Sequence, residues 1–381
     1  MGGDYPQAGG PNGPGIYIST MPLNHYLTLG NSGLAVSPFC LGAMTFGEDW
    51  GWGSSVKESE AIMDTFLSRG GNFIDTANAY TRGHSEKIIG DHIGRHPARR
   101  HRAVIATKFS SNLFPGDPNA GGSSRKGILG QCEESLRRLQ TDYIDLYWIH
   151  VWDSMTPIEE TMRALDDLVR SGKVRYVGVS DTPAWKVSQA QTIARFRGFA
   201  PLIALQIEYS LLERTVEGEL VPMAAEMGLG ITPWSPLRFG ILSGKYTRET
   251  AKDMKPDRGA WVQNSLTEKS FAALDVVRRV AKELGTTPAR VALSWVQSRP
   301  GVTSTIIGAR SAAQLEDNLG ALDLKLPEDA LAALNEVSMP QLNFPAAFVR
   351  GSGMFKRGGT TVNGETAPPW PMAPKSAAER Y

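Results

Sequence analysis

Phe73-Ile74-Asp75-Thr76-Ala77-Asn78-Ala79-Tyr80 is a short apolar strand that ends in a carboxylate and runs through a polar loop to a tyrosine. Alone, it is any strand entering any loop. Two further runs repeat the pattern: Val104-Ile105-Ala106-Thr107-Lys108 ends in an ammonium, and Ile144-Asp145-Leu146-Tyr147-Trp148-Ile149-His150 in an imidazole. Amphipathic stretches separate the three, so the strands run parallel, because each return needs a crossover. Three successive strands then carry ionisable side chains to one rim.

Outward from this stretch the alternation continues. Candidate strands fall at 40–44, 73–75, 104–108, 144–150, 174–180, 203–207, 229–234 and 303–307. The helices between them carry start signals. Thr156-Pro157-Ile158-Glu159 reads as an N-cap, a first-turn proline and a capping-box glutamate, and Gly172 is placed to end that helix. Thr182-Pro183 and Thr287-Pro288 repeat the start, and Ser311 to Gln314 is a further capping box. Eight units is the closure number of a barrel, and no Gly-rich dinucleotide fingerprint follows the first strand. The expected fold is α/β, a (β/α)8 TIM barrel over 26–339. Runs 26–30 and 34–37, flanking Asn31-Ser32-Gly33, read as an N-terminal β-hairpin. Residues 1–25 read as a flexible arm and 340–381 as an irregular C-terminal tail. Three roles stay open to that tail: wrapping over the barrel mouth, packing on a partner subunit in a homo-oligomer, or partial disorder.

Composition narrows the function classes. The 381 residues carry a formal charge of +1, which provides no field for nucleic acid or an anionic membrane. The basic run 95–102 reads as a solvated loop. Cys40 and Cys132 are too few for a disulfide framework and read as small core residues. Neither a secretory start nor a membrane-length apolar run is present, so a cytoplasmic protein is expected. His92 and His96 lack the accompanying ligands of a metal site and read as surface residues.

The chemistry of the rim points to proton transfer. A tyrosine is a poor acid, with a reference pKa of about 10, and a neighbouring ammonium would stabilise its anion. A carboxylate would hold that ammonium in place, and a histidine beside them could orient a carbonyl oxygen. Asp75, Tyr80, Lys108 and His150 supply these parts. Trp50 and Trp52 follow the first strand and are placed at the same mouth, lining a pocket or plugging the barrel top. Phe109 and Phe114 are placed for the same job.

With these residues the sequence resembles the aldo-keto reductase superfamily. Gly83-His84-Ser85-Glu86-Lys87-Ile88-Ile89-Gly90 is similar to its Gly-x-Ser-Glu-x-x-x-Gly signature, and Gly178-Val179-Ser180 to its fifth-strand motif. Trp234-Ser235-Pro236-Leu237 with 240–246 resembles the loop that clamps the cofactor pyrophosphate. Residues 306–310, with Gln314 and Asn318, resemble the adenosine segment. The resemblance spans roughly 26 to 338, in order.

It implies an NADPH/NADP+ cofactor and a small carbonyl or alcohol substrate. Tyr80 would be the acid, tuned by Asp75 and Lys108, with His150 positioning substrate. Ser180, Asp181 and Gln206 would hold the nicotinamide carboxamide, and Trp234 would stack on its ring. The loop residues Ser235, Pro236, Leu237, Gly240 and Leu242, with Lys245, would take the phosphates. Arg310 would grip a 2′-phosphate as a fork. Ala43, Met44, Gly308, Gln314 and Asn318 complete the expected cofactor contacts. Gln314 reads equally well as a purely structural capping residue. Asp181 departs from the family, which usually has Asn there; a carboxylate accepts but does not donate.

Voltage-gated potassium channel beta subunits are a more distant resemblance and share Trp-Ser-Pro-Leu, which keeps a redox-sensing subunit as the alternative. Those subunits typically have Asn at the position of His150, which favours an enzyme. A metal-dependent hydrolase on the same barrel lacks paired histidine ligands at strand ends.

Overall fold

The computed structural model describes residues 21–248 and 260–380, so most of the expected N-terminal arm lies outside the described residues. Phe39–Gly42 (β1), Phe73–Asp75 (β2), Val104–Phe109 (β3), Ile144–Ile149 (β4), Val174–Ser180 (β5), Leu202–Glu208 (β6), Gly230–Trp234 (β7) and Thr305–Gly308 (β8) form one sheet in that order. All neighbours are parallel, and β8 pairs with β1. Between β7 and β8 the Thr303 and Ser304 amides donate to the Ile231 carbonyl at 2.9 and 3.4 Å. The sheet thereby closes into the expected (β/α)8 barrel.

Helices Val56–Ser68 (α1), His84–Ile89 (α2), Arg125–Leu139 (α3), Ile158–Arg170 (α4), Ala184–Arg197 (α5), Leu220–Met227 (α6), Glu268–Glu283 (α7), Pro288–Gln297 (α8) and Ala312–Leu319 (α9) flank it. Thr287 caps α8, its oxygen accepting from the Arg290 amide at 3.3 Å. The other two Thr-Pro starts differ from expectation. Thr156 donates to Asp153 at 2.6 Å and Thr182 to the Ser180 carbonyl at 2.8 Å, so Pro157 and Pro183 become the N-cap residues. Each threonine hydroxyl is engaged by an acceptor in its own loop.

Strand alternation sorts the barrel into an inside and an outside. Val104, Ala106, Leu146, Trp148 and Ala204 share the inner cluster with Cys40 and Phe73. Ile105, Phe109, Tyr147, Ile149 and Leu205 face the helices. Trp148 fills the middle of the barrel because Gly178 opposite it has no side chain; a Cβ there would lie 2.4 Å from the indole. The same parity carries Lys108, His150, Ser180, Gln206 and Glu208 inward one or two layers above this floor.

Leu27–Thr28 and Ala35–Val36 form the expected hairpin. Leu29 and Val36 from it are fully buried at the opposite end of the barrel and seal its base. The tail carries only short pieces: helices Ala346–Gly351 and Gly353–Arg357 and a small hairpin pairing Thr361–Val362 with Glu365–Thr366. Phe355 links Phe348 and Trp370 in an aromatic cluster, and Arg350 reaches Glu217 at 3.7 Å. No described tail residue lines the barrel mouth. Among the described residues no helix is long and apolar enough to cross a membrane.

Candidate active site

A cleft of about 1240 Å3 opens at the C-terminal ends of the strands and runs from Trp50 and Trp52 past Tyr80 to Arg310. At its base Lys108, fully buried, has three acceptors for its three N–H groups. Nζ donates to Asp75 Oδ1, to the Thr76 carbonyl at 2.8 Å and to Tyr80 Oη at 3.2 Å. Asp75 Oδ2 accepts from Gln206 Nε2 at 3.1 Å. Burial raises the Asp75 pKa against the opposing pull of Lys108. Burial by itself would lower the Lys108 pKa, but Asp75 and Tyr80 together hold it above the ordinary lysine value. The ammonium is therefore permanently charged and has no hydrogen left to give.

The consequence falls on Tyr80. Its oxygen accepts from Lys108, so its own hydrogen is free to point into the cleft. The Lys108 charge pulls the Tyr80 pKa down, as expected from sequence, but it does not act alone. Desolvation by the surrounding walls outweighs the Lys108 charge and raises the Tyr80 pKa. The group is a protonated acid at neutral pH. His150 meets the Tyr80 ring edge-on, with centroids 5.9 Å apart. Desolvation first, and then the Lys108 charge, lower its pKa to about 3, so its ring is neutral. Trp50 lies 6.5 Å from Tyr80 and 5.4 Å from Trp52, giving the cleft an aromatic wall.

The segment after Tyr80 explains the Gly-x-Ser-Glu-x-x-x-Gly pattern in structural terms. Thr81, Arg82 and Gly83 all have left-handed backbones, at φ 46°, 60° and 90°. Buried side chains hold this turn. Thr81 Oγ1 donates to the Phe46 carbonyl at 2.8 Å and accepts from the Ser85 amide at 2.9 Å. Ser85 Oγ donates to the Ala43 carbonyl at 2.7 Å. Glu86, fully buried, joins Arg138 at 2.6 Å and Thr107 at 2.5 Å. Gly90 lets α2 touch α3, since a Cβ there would sit 2.2 Å from the Arg138 carbonyl.

Across the cleft, Asp181 accepts from Trp234 Nε1 at 3.0 Å. A second left-handed turn follows in Arg238, Phe239 and Gly240, at φ 45°, 55° and 88°. Arg238 pairs with Glu208, both partly exposed. The Lys245 ammonium sits close above Gly240, where a Cβ would be 3.2 Å from Nζ. This end suits an elongated anionic ligand: a cationic side chain and exposed backbone at one turn, an aromatic platform, then Arg310. Gln314 accepts from the Arg310 amide at 2.8 Å and Asn318 donates to the Gly308 carbonyl at 3.1 Å, so both amides shape the segment that carries Arg310.

Most of the expected site residues line this one cleft, with Lys108 just beneath it. Four do not. Phe109 follows the inward Lys108 and so points outward, packing 4.9 Å from Tyr147 among the helices. Phe114 is exposed on the following loop. Ala43 is buried, with its amide on the Asp75 carbonyl and its own carbonyl on Ser85. Leu242 is buried behind the loop. Sequence reasoning missed Glu208, Arg238, Phe239 and Asp317, which also line the cleft. Glu208 was accessible to it, because it follows the inward-facing Gln206 by two residues.

Comparison with known proteins gives the family. The pattern of the Aldo/keto reductase family matches residues 38–339. The uncharacterized oxidoreductase YrpG of Bacillus subtilis (strain 168) is 40% identical, covering 82% of this chain and 95% of its own. An aryl-alcohol dehydrogenase [NADP(+)] of Phanerodontia chrysosporium is 35% identical over 82% of this chain and 85% of its own. Norsolorinic acid reductase B of Dothistroma septosporum (strain NZE10 / CBS 128990) is 35% identical over 86% and 85%. The family match and the relatives' names make this barrel an oxidoreductase. The chain belongs to the aldo/keto reductase family.

Proposed function

We propose that the protein is an NADPH-dependent oxidoreductase that interconverts aromatic aldehydes or ketones and their alcohols, with Tyr80 as proton donor. The observation that carries this reading is the saturated Lys108 ammonium, which leaves the Tyr80 hydrogen free to point into a cleft walled by Trp50 and Trp52. When bound, the cofactor supplies hydride to the carbonyl carbon. Tyr80 Oη gives its proton to the carbonyl oxygen, and Lys108 stabilises the anion that Oη then carries. Asp75 keeps Lys108 charged and fixed. Neutral His150 offers a ring nitrogen to the same oxygen, and the two indoles, tilted 45° to each other, give a flat substrate an aromatic wall.

Ser180, Asp181 and Gln206 would hold the carboxamide, Trp234 the ring, and residues 235–237 with Gly240 and Lys245 the phosphates. Arg310 would take a 2′-phosphate. The name of the Phanerodontia relative, an aryl-alcohol dehydrogenase [NADP(+)], supports an aromatic substrate and NADP. The test is NADPH oxidation over a panel of aromatic, aliphatic and sugar carbonyls, with NADH in parallel. The expected outcome is the highest kcat/KM on aromatic carbonyls with NADPH. Equal rates on aliphatic carbonyls would overturn the substrate class, and a preference for NADH the cofactor.

A further inference from the structure

Asp181 stands where β5 leaves the barrel, with a left-handed backbone at φ 40° that aspartate and asparagine both tolerate. The Trp234 indole donates to it at 3.0 Å. A neutral donor satisfies one carboxylate oxygen without cancelling the charge. Lys245 and Arg310 stand at the turn and the segment read as the phosphate end of the cleft, and around Tyr80 and Trp234 the formal charges cancel in pairs. Lys108 is matched by Asp75, and Arg238 by Glu208. Tyr80 keeps its proton and His150 is neutral. Burial raises the Asp181 pKa against the pull of the Trp234 hydrogen bond and of Lys108; its carboxylate lines the cleft, and among the described residues no cation is ion-paired with it.

Resting on the nicotinamide reading of this cleft, we propose that Asp181 sets which redox state of the cofactor the protein prefers. Its carboxylate, held against Trp234, favours the positively charged pyridinium of NADP+ over the neutral dihydropyridine of NADPH. Unlike charges in contact at an effective dielectric of about 20 attract strongly enough to change an affinity by roughly tenfold or more. An asparagine at this position has the same shape and no such term. Two consequences follow for carbonyl reduction: the bound dihydropyridine is the stronger hydride donor, and NADP+ leaves slowly.

The experiment is calorimetric titration of the full chain with NADP+ and with NADPH, comparing wild type and Asp181→Asn. Asparagine accepts the same backbone angle and can still receive the Trp234 hydrogen, so the variant keeps the fold. The expected result is that Kd for NADP+ rises about tenfold while Kd for NADPH stays within about twofold. Equal weakening of both, or no change in either, overturns the role of the charge and leaves the cofactor reading standing. A wild-type protein that binds neither nicotinamide cofactor overturns that reading and this proposal with it.

Discussion

Two turns in this molecule have nearly the same backbone and different anchors. Thr81-Arg82-Gly83 and Arg238-Phe239-Gly240 each run through three left-handed residues, with φ rising from about 45° to about 90° in both. For a residue with a side chain that conformation costs on the order of 1–2 kcal/mol. The first turn carries Tyr80 and is held by buried hydrogen bonds from Thr81 and Ser85 and by the Glu86–Arg138 pair. The second crosses the end proposed for the cofactor and is tied to the barrel by Arg238 and Glu208, which remain partly open to water. Strain backed by buried contacts makes a rigid holder for an acid. Strain backed by a partly solvated ion pair and by bonds to Ser235 and Ser265 makes a looser clamp.

The sharpest break in this comparison is Tyr80→Phe. Removing the acid from the rigid side should lower kcat by about a thousandfold while the Kd of NADPH, which depends on the other side, moves less than about twofold. Stopped-flow turnover and cofactor titration on the same preparation check both halves. Unchanged turnover would remove Tyr80 from the reaction.

The paired glycine variants come next. Gly83→Ala puts a Cβ 2.8 Å from Arg138 Cδ and threatens its bond to the fully buried Glu86. Gly240→Ala meets only the flexible Lys245 chain, at 3.1 Å. Urea unfolding should show a loss of about 3 kcal/mol or more for Gly83→Ala and of about 1–2 kcal/mol for Gly240→Ala. Equal losses would mean the two anchors do not differ.

Arg238→Ala tests the clamp alone. It should weaken NADPH binding roughly fivefold, speed NADP+ release, and leave the unfolding midpoint almost unmoved. The smallest effect concerns pH. His150 is lowered to about 3 by desolvation and Lys108, so it adds no limb to the rate profile between about pH 5 and 8. Tyr80, raised above the phenol value, loses its proton only as pH rises toward and past that value. Carbonyl reduction should therefore hold through neutrality and fall at alkaline pH, while alcohol oxidation rises there. A His150→Gln variant should be slower with the same profile shape.

The rim was legible because each part of it is local. Asp75, Lys108 and His150 end apolar strands, and alternation on each strand decides which way they face. The same rule, applied one residue further, places Phe109 outside the barrel, where it packs on Tyr147. The Thr-Pro starts show the limit of local signals. All three look alike, but only Thr287 caps its helix, because Thr156 and Thr182 find acceptors in loops whose shape the pattern does not encode.

Hydrophobic period, strand count and turn residues were enough for the closed barrel, its hairpin and the acid, ammonium and imidazole on one rim, since these are properties of short segments. Closure of the barrel was needed for the rest. It brings Gln206 to Asp75 across 131 residues and Trp234 to Asp181 across 53. It also sets Glu208 against Arg238 and surrounds Lys108 with three acceptors. Charge balance and proton direction depend on such long-range contacts, and no local pattern specifies them.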